Sequence, residues 1–465
     1  MKLMKVKGPV CLDGTTFVCG SKNAVLPIMA ASILAPGRHY LENAPYLTDV
    51  INMSKILNDL GIDAYWVDSK PIEVNEEGRL GPQVIRKTRR HPAWRGYPDW
   101  RVPGGGMLEI NVGDIKCDTA GYEAVARMRA SISVLGPLVA RLGHARVSMP
   151  GGCVIGPRPV DLHIKGLKML GANVELKGGF IEATSSGLHG SRIYLGGARG
   201  STVLGTATVM STACLADGVT VIEHAAQEPE VAELANFLKR AGAKISGEGT
   251  HQIIIEGVSS LHGAHYRVIP DRIEAGTLAC AAVATGGKIV IENCRFDHLF
   301  ALWDRLESAG ATVDEVGGAA MVHGLKRPKA TEINTFPYPG FPTDLQAQMA
   351  AVLVKAEGTS TVTDRVFPER FWYAPEMARL GAKMRVEPPS VTIEGVDRLT
   401  AAEVASRDLR GAAALVITAM CAEGETVIRE PGHLERGYDD LPSRLRALGA
   451  DITVEEAEGG PGEDA

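Results

Sequence analysis

A chain of 465 residues with net charge −6, 45% hydrophobic and 5% aromatic, is too long for one ordinary core, so two large domains are expected. The acidic balance excludes a general nucleic-acid binder, which carries a strongly basic face, and no run of about eighteen apolar residues offers a membrane span. Met1 to Lys7 lacks an apolar stretch of signal-peptide length and the eight cysteines form no C-x-x-C pair, so the expected class is a reduced, cytoplasmic enzyme without a zinc ribbon or disulfide framework.

The first element is a helix through Ala24 to Ala35. Ser21 or Asn23 is placed to cap it, with Pro27 in its first turn. Lys22 then sits where a helix N-terminus already favours an anion. Leu57-Asn58-Asp59-Leu60-Gly61-Ile62 follows, an apolar helix end, a glycine and a β-rich strand. Five further copies end at Gly171, Gly242, Gly310, Gly381 and Gly449. Glycine falls where a helix C-cap needs a left-handed residue. The last five lie roughly seventy residues apart, too long for a solenoid repeat, and six α/β modules are expected, three to a domain.

The first interval is about forty residues longer. The surplus includes Arg79 to Met107, where Arg79, Arg86, Lys87, Arg89, Arg90, Arg95 and Arg101 interleave with Trp94, Tyr97 and Trp100 against Asp99 alone. Such interleaving can bind single-stranded nucleic acid. The acidic remainder of the chain favours a solvated insertion closed by Gly104-Gly105-Gly106.

Next comes Met149-Pro150-Gly151-Gly152-Cys153-Val154-Ile155-Gly156-Pro157-Arg158-Pro159-Val160-Asp161-Leu162-His163. A cysteine in a glycine-rich loop precedes an arginine and a helix expected to start near Asp161. A cation and a helix N-terminus favour a thiolate and attract anions. Two readings stand: a mobile acid, base or nucleophile beside an anionic substrate, or a surface turn holding a buried thiol. Asp344 follows Pro342-Thr343 in a loop, as an acid–base group, a cap for the helix from Leu345, or both. Asp408 handles protons, bridges the domains or makes a structural salt bridge. The segment from Glu455 to Ala465 is acidic and rich in glycine, and is expected to be disordered.

Gly20-Ser21-Lys22-Asn23-Ala24-Val25-Leu26-Pro27 resembles the opening motif of the enolpyruvyl transferases. Pro150-Gly151-Gly152-Cys153 with Arg158-Pro159-Val160-Asp161-Leu162-His163 is similar to the branch that uses UDP-N-acetylglucosamine. Collinear matches continue through Met128-Arg129-Ala130-Ser131, Glu228-Pro229-Glu230, Pro270-Asp271-Arg272-Ile273-Glu274, Phe341-Pro342-Thr343-Asp344, Asp408-Leu409-Arg410 and Glu435-Arg436-Gly437-Tyr438. The resemblance implies an α/β fold of two inside-out α/β barrel domains, each of three βαβαββ-type units. Residues 22–268 would form the first domain, 1–21 with 269–454 the second, and 455–465 the tail.

It also implies transfer of the enolpyruvyl group of phosphoenolpyruvate to the 3′-hydroxyl of UDP-N-acetylglucosamine, through a tetrahedral intermediate that loses phosphate. This is the committed step toward peptidoglycan precursors. Neither a metal nor an organic cofactor is implied, and the partners would be these two small molecules rather than nucleic acid or membrane. By resemblance Cys153 would protonate the methylene carbon and be alkylated by fosfomycin. Lys22, Arg158 and Arg436 would hold the phosphate, and Arg410 the carboxylate; a guanidinium fork matches both groups. Asp344 would take the hydroxyl proton, and Asp408 would assist proton handling. The remaining substrate contacts would be Asn23, Arg129, Pro159, Val160, Asp161, Leu162, Ser201, Thr202, Val203, Val366 and Arg370.

Three departures from the family pattern stand out: Gly200 to Thr206, where the family reads Ser-Val-Gly-Ala-Thr; the insertion; and Pro157, which stiffens the Cys153 loop. The first keeps open an enolpyruvyl transferase with another nucleotide acceptor. The insertion keeps open an inactive, sugar-nucleotide-binding regulatory paralogue.

Overall fold

The six glycines do end helices. Gly61, Gly171, Gly242, Gly310, Gly381 and Gly449 have φ between 90° and 104°, a conformation open to residues without a Cβ. A second set, Gly37, Gly143, Gly218, Gly286, Gly358 and Gly424, also has positive φ. Each lies near the passage from a helix into the next strand. The linear pattern missed this set because no common apolar signature precedes it.

The computed structural model describes residues 2–67, 106–126, 128–149 and 160–456. Most of the basic insertion, the stretch carrying Cys153, Arg158 and Pro159, and the last nine residues lie outside these. Two expected boundaries are corrected. Gly106 and Met107, assigned to the insertion, open the strand Gly106–Val112. Glu455 and Glu456, assigned to the tail, end the strand Asp451–Glu456, which pairs with the strand Lys2–Gly8.

The described chain forms two compact units. One comprises residues 2–18 and 271–456, the other residues 19–270. Each contains three small sheets with helices inside and sheets outside. In the first unit the helices Arg272–Thr285, Gln346–Leu353 and Leu409–Cys421 pack on one another and are buried on almost every side. Such all-round apolar helices belong at a centre. In the second unit Lys22–Ala31, Leu135–Leu142 and Val203–Ala213 hold the corresponding places. Small residues permit close approach there. A Cβ on Gly166 would lie 2.1 Å from Val209 Cγ2, and one on Gly276 2.5 Å from Leu345 Cδ1.

Strands alternate between core and solvent, as half-covered sheets require. In Gln252–Glu256, Ile253 and Ile255 are fully buried while Ile254 faces out. Five of the six modules end in two antiparallel strands of which the last lies inside the sheet, as in the order of Asn173–Lys177, Phe180–Thr184, His144–Ser148 and Thr119–Ala120; in the sixth, Asp451–Glu456 lies at the edge and Lys2–Gly8 takes the inner place.

Two modules of the first unit borrow strands from the beginning of the chain. Lys2–Gly8 pairs antiparallel with both Ala422–Arg429 and Asp451–Glu456, and Asp13–Phe17 pairs parallel with Lys288–Glu292. In the second unit the late strand His265–Arg267 completes the sheet of Gly37–Ala44. Among the described residues no helix is long and apolar enough to cross a membrane.

Candidate active site

In the unit of residues 19–270, Lys22 opens the helix Lys22–Ala31. Its Nζ lies 2.8 Å from Asp49 Oδ2, with the side chains only 12% and 2% exposed. Asp49 stands in the first turn of the next helix, Thr48–Asp59. The linear pattern gave no sign that this acid is buried against Lys22.

The expected cap is not made. Ser21 occupies the N-cap position, but its hydroxyl forms no capping bond; it is buried without a partner. Its backbone N–H donates to the Ile269 carbonyl at 2.7 Å, so tertiary pairing rather than a local cap fixes this turn. The regular helix also stops at Ala31 and continues as a 3₁₀ turn, Ser32–Leu34. Pro27 lies in the second turn, not the first, where it cannot donate to the Asn23 carbonyl.

Arg129 opens the 3₁₀ turn Arg129–Val134. Val160, Asp161 and Leu162 form the N-terminus of the helix Asp161–Met169, as expected. His163 in that turn is 3% exposed and its ring nitrogens have no hydrogen-bond partner. Burial, helped by the nearby Arg129 charge, pushes its pKa down to about 4.

The departing stretch around residue 200 packs beside this helix. Leu162 Cδ1 would lie 3.2 Å from a Cβ on Gly197. Gly197 and Gly200 close a tight turn through reciprocal backbone bonds, with Gly200 at φ 95°. Ser201 precedes Thr202, whose Oγ1 accepts the Gly205 N–H at 3.2 Å and caps the helix Val203–Ala213. The altered spacing thus still produces a capped N-terminus, a local dipole end that favours anions.

In the other unit, Asp344 is the hub. Arg370 Nη1 donates to its Oδ1 at 2.7 Å and Arg410 Nη2 to its Oδ2 at 3.2 Å. Both guanidiniums are buried; Asp344 is a quarter exposed. Asp344 does not cap the following helix: it lies within the 3₁₀ turn Thr343–Leu345, and Leu345 holds the cap position without a side-chain bond. Its oxygens are turned to the two arginines instead.

Asp408 is the cap that Asp344 is not. Its Oδ1 accepts the N–H groups of Arg410 and Gly411, both at 3.0 Å, at the start of Leu409–Cys421. Arg410 lies over the Tyr438 ring at 5.2 Å. Its pKa is raised despite burial by Tyr438, Asp344 and Asp271. Its Nη1 is buried without a partner, a costly state that a bound anion would relieve. Arg436 ends the 3₁₀ turn Pro431–Arg436. Val366 follows the strand Thr359–Asp364, and its N–H donates to Asp364 Oδ1.

The structure therefore gathers Asp344, Arg370, Asp408 and Arg410 into one cluster, and Val160, Asp161, Leu162 and Arg129 into another neighbourhood. Asp49, Asp364 and Tyr438, which contact the expected site residues Lys22, Val366 and Arg410, were not among the candidates. Tyr438 ends the matched segment from Glu435, and Asp364 lies two residues before Val366, the signals that could have drawn attention to them. Among the described residues no group of His, Cys, Asp or Glu is placed to hold a metal.

The family profile described as EPSP synthase (3-phosphoshikimate 1-carboxyvinyltransferase) matches residues 6–90 and 105–458. The chain belongs to this enolpyruvyl transferase family. A relative from Caldanaerobacter subterraneus subsp. tengcongensis, named UDP-N-acetylglucosamine 1-carboxyvinyltransferase 1, is 45% identical, covering 95% of this chain and 96% of its own. A relative from Trichlorobacter lovleyi, named UDP-N-acetylglucosamine 1-carboxyvinyltransferase, is 43% identical, covering 97% of this chain and 99% of its own. Among solved structures, the enolpyruvyl transferase NikO from Streptomyces tendae superimposes with a TM-score of 0.82 at 23% identity, covering 98% and 99% of the two chains. At that identity the likeness concerns the fold alone.

Proposed function

We propose that the protein transfers the enolpyruvyl group of phosphoenolpyruvate to the 3′-hydroxyl of UDP-N-acetylglucosamine and releases phosphate. The observation that carries this reading is full-length likeness, at 41–45% identity, to enolpyruvyl transferases named for that acceptor. The clusters supply suitable chemistry. Asp344 is oriented by two guanidiniums, and a carboxylate so held is suited to accept a proton from a substrate hydroxyl. Arg410, fixed at its backbone by the Asp408 cap, presents an unpartnered Nη1 to the phosphoenolpyruvate carboxylate. Arg370 keeps Asp344 in place.

In this reading Cys153 delivers the proton to the methylene carbon and is the site of fosfomycin alkylation. Lys22, Arg158 and Arg436 neutralise the phosphate as the tetrahedral intermediate collapses. Asn23, Arg129, Pro159, Val160, Asp161, Leu162, Ser201, Thr202, Val203 and Val366 contact the sugar nucleotide. The reaction would take place in the cytoplasm, without a metal or organic cofactor, at the committed step of peptidoglycan precursor synthesis, and would thereby serve wall growth, cell shape and division.

A phosphate-release assay tests the reading. Phosphate is expected only when both substrates are present. Folded protein that releases none overturns the proposal, and faster release with another uridine nucleotide reassigns the acceptor.

A further inference from the structure

Asp364 ends the strand Thr359–Asp364 and is fully buried. A carboxylate is costly in that position unless donors surround it. Four do. Oδ1 accepts the Thr335 hydroxyl at 2.8 Å and the N–H groups of Val366 and Phe367 at 2.9 and 2.8 Å. Oδ2 accepts the Thr343 hydroxyl at 2.6 Å. Thr343 immediately precedes Asp344, and its oxygens also accept from Arg370 Nη1, at 3.2 Å to the hydroxyl and 3.3 Å to the carbonyl.

One buried carboxylate thus ties together two chain segments far apart in sequence. Each carries a residue assigned above to the acceptor: Asp344 on one, Val366 on the other. We infer that Asp364 is a positioning residue for the acceptor, holding the 343–344 and 366–367 segments in one register so that Asp344 and Val366 address the same sugar nucleotide. This role rests on the proposed reaction. Asp364 itself has no exposed surface, so it acts through Thr343, Val366 and Phe367.

Thr343→Val is the sharpest test, because it keeps the side-chain shape and removes the hydroxyl link to Asp364, while Arg370 Nη1, which loses one contact, still bonds the Thr343 carbonyl and Asp344. The KM for UDP-N-acetylglucosamine is expected to rise about tenfold, the scale of a lost hydrogen bond to a charged group. The KM for phosphoenolpyruvate should stay within about twofold, since Arg410 is untouched. Asp364→Asn keeps one acceptor oxygen for the two amides and should recover most of the loss seen in Asp364→Ala. Hydrogen exchange gives a readout independent of turnover: Thr343→Val should loosen residues 343–345 alone, and Asp364→Ala both segments.

Equal rises in both KM values, or none, overturn the inference, as does unchanged exchange at 343–345. If the unsubstituted protein turns over neither substrate, the proposed reaction fails. The exchange comparison then decides the link by itself: loosening supports it and unchanged exchange overturns it. Should Asp364→Ala not fold, Thr343→Val and Asp364→Asn still carry the test.

Discussion

Asp344, Arg370 and Arg410 illustrate how much a single side chain can hold. Asp344 is bonded to both buried guanidiniums. Removing it leaves two buried cations facing each other, the costly half of a broken ion pair. Asp344→Ala is expected to abolish phosphate release and to lower stability by about 3 kcal/mol, the low end for a buried pair because the carboxylate is partly exposed. Urea unfolding alongside the assay checks both, and a fully stable, active variant would contradict the assignment. The sequence pointed to Asp344 and Arg410 through their motifs. It did not show that they touch, because residues so distant along the chain meet only after the central helices pack. Asp49 was invisible for the same reason: an acid early in a helix is usually a dipole partner in water, and only folding puts this one beneath Lys22.

Helix ends were the most legible elements. An apolar residue, two variable positions, a second apolar residue and Gly recur because every module needs its outer helix to stop and reverse, and the left-handed turn admits glycine at little cost. The sites nevertheless differ in their surroundings. A Cβ on Gly381 would meet only Thr400 Oγ1, at 3.9 Å, whereas one on Gly171 would lie 2.5 Å from His189 Cε1. Gly381→Ala should therefore cost about 1 kcal/mol, the conformational term alone. Gly171→Ala should cost roughly twice that, since the His189 ring must also move. Urea midpoints of the two variants give the comparison, and equal shifts would contradict it. Cap chemistry was less legible. Ser21, Asp344 and Asp408 all have capping side chains, yet only Asp408 caps. The Asp344 carboxylate is turned to its tertiary arginine partners, while at Ser21 the backbone pairing with Ile269 sets the turn and the hydroxyl goes without a bond.

At the scale of the whole molecule, the unit of residues 271–456 depends on the start of the chain. Lys2–Gly8 is bonded on both edges and Asp13–Phe17 on one. Without them two sheets open, exposing unpaired strand edges and the apolar faces behind. Residues 271–456 alone should show no cooperative thermal transition, and a peptide of residues 2–18 should restore one. Residues 19–270, which hold every strand of their three sheets, should melt cooperatively by themselves. Calorimetry distinguishes these outcomes, and a cooperative melt of 271–456 without the peptide would contradict this view. The number of modules, the class of fold and the family were readable from the chain itself, because apolar periodicity and turn glycines are local requirements that each module meets independently. Which strand closes which sheet, which acid faces Lys22, and how Asp344 comes to lie between two arginines were decided by packing, because those partners are distant in sequence and burial is what selects them.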